Sequence, residues 1–333
     1  MSKIIPVLII TSLLSLSALA SNHTFYGKAN LSINRTDQNN TNDVDLESNA
    51  SRIGVKGSNP IGDNLKAIYQ IEYEIFIDDG NDGTKINVSN GEKNTGSEFK
   101  QRNSFIGLKG DFGKIIVGKH DTLVKLAQGK VDQFNDLSNG DIKNLIQGEN
   151  RASNIVVYTS PVINGFTTKF AFVPDEDSAK SDDMISASIS YQLGSLTLNA
   201  AHEDGRAIDS DVDSLTRVTA EYKFDALAFG FLYQQADEIN SAIPQAPKNN
   251  QDALILSGNY RLKNGLIAKF QYGESDDDEE TTRQIAVGAD FKLNKQVKLF
   301  TYYSDISDYR SIDAGVASYN NNQTIAAGLE VKF

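Results

Sequence analysis

What most constrains this chain is a texture that begins after Ala20 and continues to Phe333. Segments of about ten residues, apolar at every second position, are separated by polar connections that are in turn short and long. In "TFYGKANLSINR", Phe25, Gly27, Ala29, Leu31 and Ile33 share one face, while Tyr26, Lys28, Asn30, Ser32 and Asn34 share the other. That is the period of a strand, with one face fit for an apolar medium and one for water. Sixteen such segments are expected, near 24–35, 49–58, 64–76, 99–109, 114–120, 151–160, 166–173, 184–193, 195–203, 214–224, 227–236, 251–262, 266–275, 281–292, 296–304 and 321–333. The connections "NPIGD", "GDFG", "PVING", "GS", "DA", "KNG" and "NK" are tight turns of Gly, Asn, Asp and Pro. Residues 77–98, 121–150, 237–250 and 305–320 read as long polar loops.

Alternation of short and long connections sends every long loop to one end of an up-and-down sheet, the asymmetry of an outer-membrane barrel. A soluble β-sandwich needs no such order, and it would have to build a core from strands as wet as "KANLS" or "QRNS". The expected fold is all-β: a sixteen-stranded antiparallel transmembrane barrel with short periplasmic turns and long external loops. A closed barrel has no edge, so its final strand must pair with its first. "TIAAGLEVKF" alternates to its end, which sets Phe333 at the periplasmic rim, in an aromatic girdle that Tyr and Phe must supply because Trp is absent.

The opening "MSKIIPVLIITSLLSLSALA" carries Lys3, an apolar run from Ile4 to Leu16, and small residues at Ala18 and Ala20. It reads as an export signal, residues 1–20, cleaved after Ala20 and leaving a barrel domain of 21–333. The apolar run is short for a membrane anchor, and no later run is long enough for a transmembrane helix. There is no cysteine, hence no disulfide framework and no thiolate ligand or nucleophile. A formal charge of -12 argues against nucleic acid as a partner.

Five stretches, "FYGKANLS", "SRIGVKGSNPIGDNLKAIYQIEYE", "RNSFIGLKGDFGKIIVGKHDT", "ENRASNIVVYTSP" and the terminal "GLEVKF", together resemble the general diffusion porins of Gram-negative bacteria, most of all the trimeric porins of gamma-proteobacteria. The resemblance implies an outer-membrane homotrimer among lipid and lipopolysaccharide, a third external loop folded into the lumen, and a terminal aromatic, here Phe333, read by the barrel-assembly machinery. It also implies a pore constriction with basic residues on the wall, matched by Arg52, Arg102, Arg151 and Lys28. Alternation agrees, since Arg52 is out of phase with Ile53 and Val55, and Arg102 with Phe105. The loop at 121–150 carries Leu123, Val124, Leu126, Val131, Phe134, Leu137, Leu145 and Ile146, too apolar for disorder, so it is expected to pack on the inner wall. The Pro-Glu-Phe-Gly-Gly element of enterobacterial constricting loops is missing, with "VDQFNDL" in its place. The acidic side is therefore assigned by position, to Asp132, Asp136 and Asp141, with Glu149 near the loop's exit.

Catalysis is not expected. Of His23, His120 and His202, only His202 in "AAHEDG" could serve, and no nucleophile signal lies near it. The acidic run "ESDDDEE" lacks the glycine punctuation of a loop that wraps a cation, so neither a metal site nor a cofactor is expected. The remaining reading is passive diffusion of small hydrophilic solutes with a weak cation preference. A substrate-specific channel, for a sugar or an anion, is the alternative.

Overall fold

The computed structural model describes residues 22–39, 41–80, 85–88, 91–94, 97–174, 183–205, 212–238, 250–277, 280–310 and 318–333. The expected export signal lies outside them, as do residues 239–249 of the loop expected at 237–250. Of the loop expected at 77–98, Lys85–Val88 and Gly91–Asn94 pair as a small antiparallel hairpin apart from the main sheet, and residues 81–84, 89–90 and 95–96 lie outside the described residues.

Sixteen strands follow one another: β1 (Asn22–Gln38), β2 (Thr41–Ser48 and Arg52–Pro60), β3 (Lys66–Ile75), β4 (Phe99–Gln101 and Ser104–Gly110), β5 (Gly113–Asp121), β6 (Arg151–Thr159), β7 (Phe166–Val173), β8 (Met184–Leu193), β9 (Leu196–Asp204), β10 (Val212–Phe224), β11 (Leu227–Glu238), β12 (Asn250–Arg261), β13 (Leu266–Asp276), β14 (Glu280–Lys292), β15 (Val297–Arg310) and β16 (Ser318–Lys332). Each pairs antiparallel with its sequence neighbours, and β16 returns to β1 from Lys28↔Lys332 to Gln38↔Asn322. The sheet is a closed antiparallel barrel. Closure satisfies every strand's ladder within the chain, the condition hydrocarbon imposes.

Large apolar side chains point outward, among them Ile33, Ile106, Phe170, Ile185, Phe231, Leu256 and Ile325. An aromatic rim near the short turns includes Phe112, Tyr222, Phe224 and Tyr260, with Phe166 stacked on Tyr191 at 4.3 Å between ring centroids. Phe333 joins this rim. Its N–H donates to Gly27 O (3.1 Å), Gly27 N donates back to its carbonyl (2.9 Å), and its ring lies against the space where a side chain at 27 would stand.

Two expectations about connections are corrected. β1 and β2 meet in a tight hairpin between Gln38 and Thr41, and β15 and β16 run to Arg310 and from Ser318, so most of 305–320 is strand rather than loop. Only 277–279 separates β13 from β14, so the order of short and long connections is not strict. Apart from Val44 and Leu46, these outer strand ends are mostly polar on both faces. Their backbone still pairs, but no apolar period marks it.

The ladder is interrupted where it matters for the lumen. β2 breaks at 49–51, with Ala50 at φ 49, just before Arg52. β4 breaks at 102–103, and β6 shifts register between Ala152 and Ile155, just after Arg151. Irregularities of this kind re-aim side chains. Arg102 reaches the lumen through its break rather than by the expected opposition to Phe105, because Phe105 also turns inward, 5.4 Å from the His120 ring.

Candidate pore constriction

The segment 122–150 between β5 and β6 runs inside the barrel. Thr122 caps its short helix α1 (Leu123–Ala127) by accepting from Lys125 N (3.2 Å), and Asp141 caps the turn Ile142–Asn144 by accepting from Lys143 N (2.8 Å). Its apolar residues bury against inward positions of the wall. Leu123 packs with Ile155, Ala171 and Met184; Val124 with Ala201 and Leu215; Val131, Leu145 and Ile146 with Leu232 and Ile255; Phe134 and Leu137 with Ala286, Phe300 and Tyr302. Each large side chain so buried contributes about 1.5–3 kcal/mol. Glycines on the wall make the hollows: a methyl at Gly288 would stand 2.9 Å from the Phe134 ring, and one at Gly273 would collide with Leu145.

Polar side chains from β10 to β16 then hold the loop backbone. Arg217, wholly buried, donates to Val124 O (3.1 Å), Gln147 O (2.9 Å), the Glu149 carboxylate (2.5 Å) and Gln234 Oε1 (2.8 and 2.6 Å). Thr219 donates to Ala127 O (2.8 Å), Ser257 to Val131 O (2.5 Å), Gln271 to Gly140 O (3.0 Å), and Gln284 to Asn139 O (2.9 Å) and Asp141 O (3.1 Å). Asn139 closes the series by donating to Thr324 Oγ1 (2.8 Å). Polar groups buried without partners cost free energy, and here loop and wall satisfy one another.

Toward β1–β6 the loop presents charge instead. Asp136, in a left-handed turn at φ 66, meets Lys28 Nζ at 2.8 Å and Arg52 Nη2 at 2.6 Å through one oxygen. Burial works against its ionisation, but Lys28 and Arg52 outweigh it and hold the carboxyl down at about 2. Asp141 Oδ2 accepts from Asp136 N (2.9 Å) and so fixes that turn. Asp132 accepts from Phe134 N (2.9 Å) and Ile142 N (3.4 Å). Burial raises the pKa of both Asp132 and Asp141. Of the three loop acids picked out in the sequence, Asp136 meets the wall cations, while Asp132 and Asp141 bond the loop's own backbone. Glu149 turns away to Arg217 and, at 3.8 Å, Lys125.

The other wall cations find carboxylates on the wall itself. Arg102 Nε lies 3.0 Å from Glu72 and its Nη1 2.7 Å from Glu74, while Arg151 Nε lies 2.8 Å from Asp121. Glu72, Glu74 and Asp121 were not singled out in the sequence. For the glutamates a signal existed, since they alternate with Ile71 and Tyr73 in "AIYQIEYE". What alternation could not give is the register that sets Glu74 beside Arg52 and Glu72 beside Arg102.

Comparison with known proteins agrees with this geometry. The Major outer membrane protein P.IB of Neisseria lactamica is 25% identical over 271 residues, which cover 74% of each chain. That of Neisseria sicca is 25% identical over 325 residues, 82% of this chain and 85% of the other. Among solved structures, an anion-selective porin from Comamonas acidovorans superposes with a TM-score of 0.73 at 20% identity, covering 94% of this chain and all of that one. Residues 7–310 match the family described as Gram-negative porin. A closed sixteen-stranded barrel with a charged loop docked in its lumen and a family match over nine-tenths of its length make this chain a member of the Gram-negative porin family, a channel protein of the outer membrane and not an enzyme.

Proposed function

We propose that small hydrophilic solutes and ions diffuse passively through the space bordered by β1–β6 and the near edge of the loop, and that Lys28, Arg52, Arg102 and Arg151 line its narrowest part opposite Asp136. The observation that carries this reading is the division of the lumen. The loop is bonded along β10–β16 and touches β1 and β2 through the Asp136 carboxylate. In this reading Asp132 and Asp141 stiffen the loop and do not face the solute. Four cations and four carboxylates, Asp136, Glu72, Glu74 and Asp121, leave the constriction close to neutral. Fixed opposed charges in a narrow pore orient dipolar solutes and resist apolar ones, which would strip their water.

Selectivity among small ions then falls to the mouths, where a chain of net charge -12 raises the concentration of cations. The expected preference is weakly cationic and fades as salt shortens the Debye length below about 10 Å. Planar-bilayer recording tests this directly. A reversal potential on the anion side in a potassium chloride gradient would overturn the cation preference, and a non-conducting barrel would overturn the diffusion reading.

The family supports a homotrimer set in lipid and lipopolysaccharide, and Phe333 suits a signal to the barrel-assembly machinery. Detergent cross-linking that saturates at a dimer would contradict the trimer.

A further inference from the structure

Near the short turns of β3–β8, one rung of the inner wall reads Lys66, Lys109, Lys114, Thr159, Lys169 and Ser188, each paired directly with the next across neighbouring strands. Side chains paired in this way point to the same face. That face is the lumen, because the residues flanking them in sequence, Leu108, Ile115, Tyr158 and Phe170, lie on the lipid side. Lipid phosphates therefore cannot serve as their counterions. Strands lie about 4.8 Å apart, so four ammonium groups occupy an arc of about 20 Å.

Among the described residues none of the four makes an ion pair. The exposed turn acid beside them, Asp111, accepts from Asn64 Nδ2 (2.7 Å). The next rung inward is Ile68, Gly107, Ile116, Val157 and Ala171, a dry wall without a carboxylate. The far side of the same end is built differently. There Lys269 and Lys298 share Asp290 at 3.0 and 3.4 Å, and Lys298 and Lys332 share Glu330 at 3.7 and 3.0 Å. Like charges side by side on a rung repel, and this barrel neutralises one set of lysines while leaving the other bare.

We propose that the bare arc is a binding site for small multivalent oxyanions at the periplasmic mouth. Ammonium groups are point charges suited to phosphate and carboxylate oxygens. The apolar rung behind them strengthens their field by excluding water. An anion of three or more charges spans two or three of the lysines, whereas chloride or acetate meets one at a time. The site rests on the conducting reading above, yet it is separable from it, because block is measured against each channel's own unblocked current.

The test is single-channel recording in about 0.1 M potassium chloride, where screening is moderate, with pyrophosphate, citrate or acetate added to one side at a time. Each channel is its own orientation control. The half-blocking concentration of pyrophosphate and citrate should be at least about tenfold lower from one face, with acetate inert. Lys109→Gln/Lys114→Gln/Lys169→Gln should raise it about tenfold on that face alone, and the triple Lys→Arg variant should restore block. If the glutamine triple fails to assemble, Lys114→Gln alone should give a shift of about threefold. Equal block from both faces, or block unchanged in the glutamine variants, would overturn the site.

Discussion

The two halves of this barrel use their inward polar residues for opposite ends. From β10 to β16 they are turned to the loop backbone and are buried with it: Arg217, Thr219, Ser257, Gln271 and Gln284 each hold a loop carbonyl. On β1 to β6, Lys28, Arg52, Arg102, Arg151, Glu72, Glu74 and Asp121 are instead paired with one another or with Asp136. Residues of similar polarity thus fasten the loop on one side and, in the function proposed above, form the filter on the other. The partners make the difference: on one side the donors meet loop carbonyls, on the other charged groups meet opposite charges, and the buried groups of both sides, Arg102 and Glu72 among them, are satisfied by protein.

The largest expected break in this contrast is Arg217→Ala. It removes the donor that Glu149, two loop carbonyls and Gln234 Oε1 share in a sealed site, a loss of about 3–5 kcal/mol. Undocking should show as noisy openings and subconductance levels in single-channel records. Steady wild-type openings would mean that the apolar contacts alone hold the loop.

On the filter side, Arg102→Ala with Arg151→Ala removes two cations and leaves Glu72, Glu74 and Asp121 charged. Conductance should rise, and the potassium-to-chloride permeability ratio should increase about threefold at low salt. Unchanged conductance and reversal potential would place those arginines away from the constriction.

Asp136 joins the two halves, and its response to acid follows from its depressed pKa. A carboxyl held at about 2 instead of the ordinary 3.8 stabilises the docked loop wherever the free group would be ionised. The contribution, about 2 kcal/mol, is fully present above pH 4 and is lost as pH falls from about 4 to about 2. Current noise should therefore show a rise between about pH 4 and about pH 2, while Asp136→Asn should be noisy at every pH and lack that transition.

The smallest effect on stability is expected at the seam where the halves meet. Phe333 is 65% exposed, so Phe333→Ser should change the unfolding midpoint in detergent little, by about 1 kcal/mol or less. It should nonetheless lower the amount of assembled protein in the membrane, read by heat-modifiable mobility. Normal membrane levels would remove Phe333 from assembly.

The sequence by itself determined the sixteen strands, their lipid and lumen faces, the closing pair of β16 with β1, and the loop destined for the interior. The first three are written in local alternation, because consecutive strand residues must face different media, and the loop is marked by its length and apolar content. It also marked Lys28, Arg52 and Arg102 as wall cations, although Arg102 faces the lumen through a break that alternation does not reveal. The full height of β1, β2, β15 and β16 was hidden where both faces are mostly polar. Leu215, Leu232 and Ile255, apolar on the wet face, were the trace of a covered wall, but they do not say what covers it. Only the tertiary structure decided which acid meets which cation, and that Arg217, an ordinary lumen residue by its place in β10, is buried under the loop. Those choices depend on strand register and on where a segment docks about a hundred residues away in the chain, and no local period encodes either.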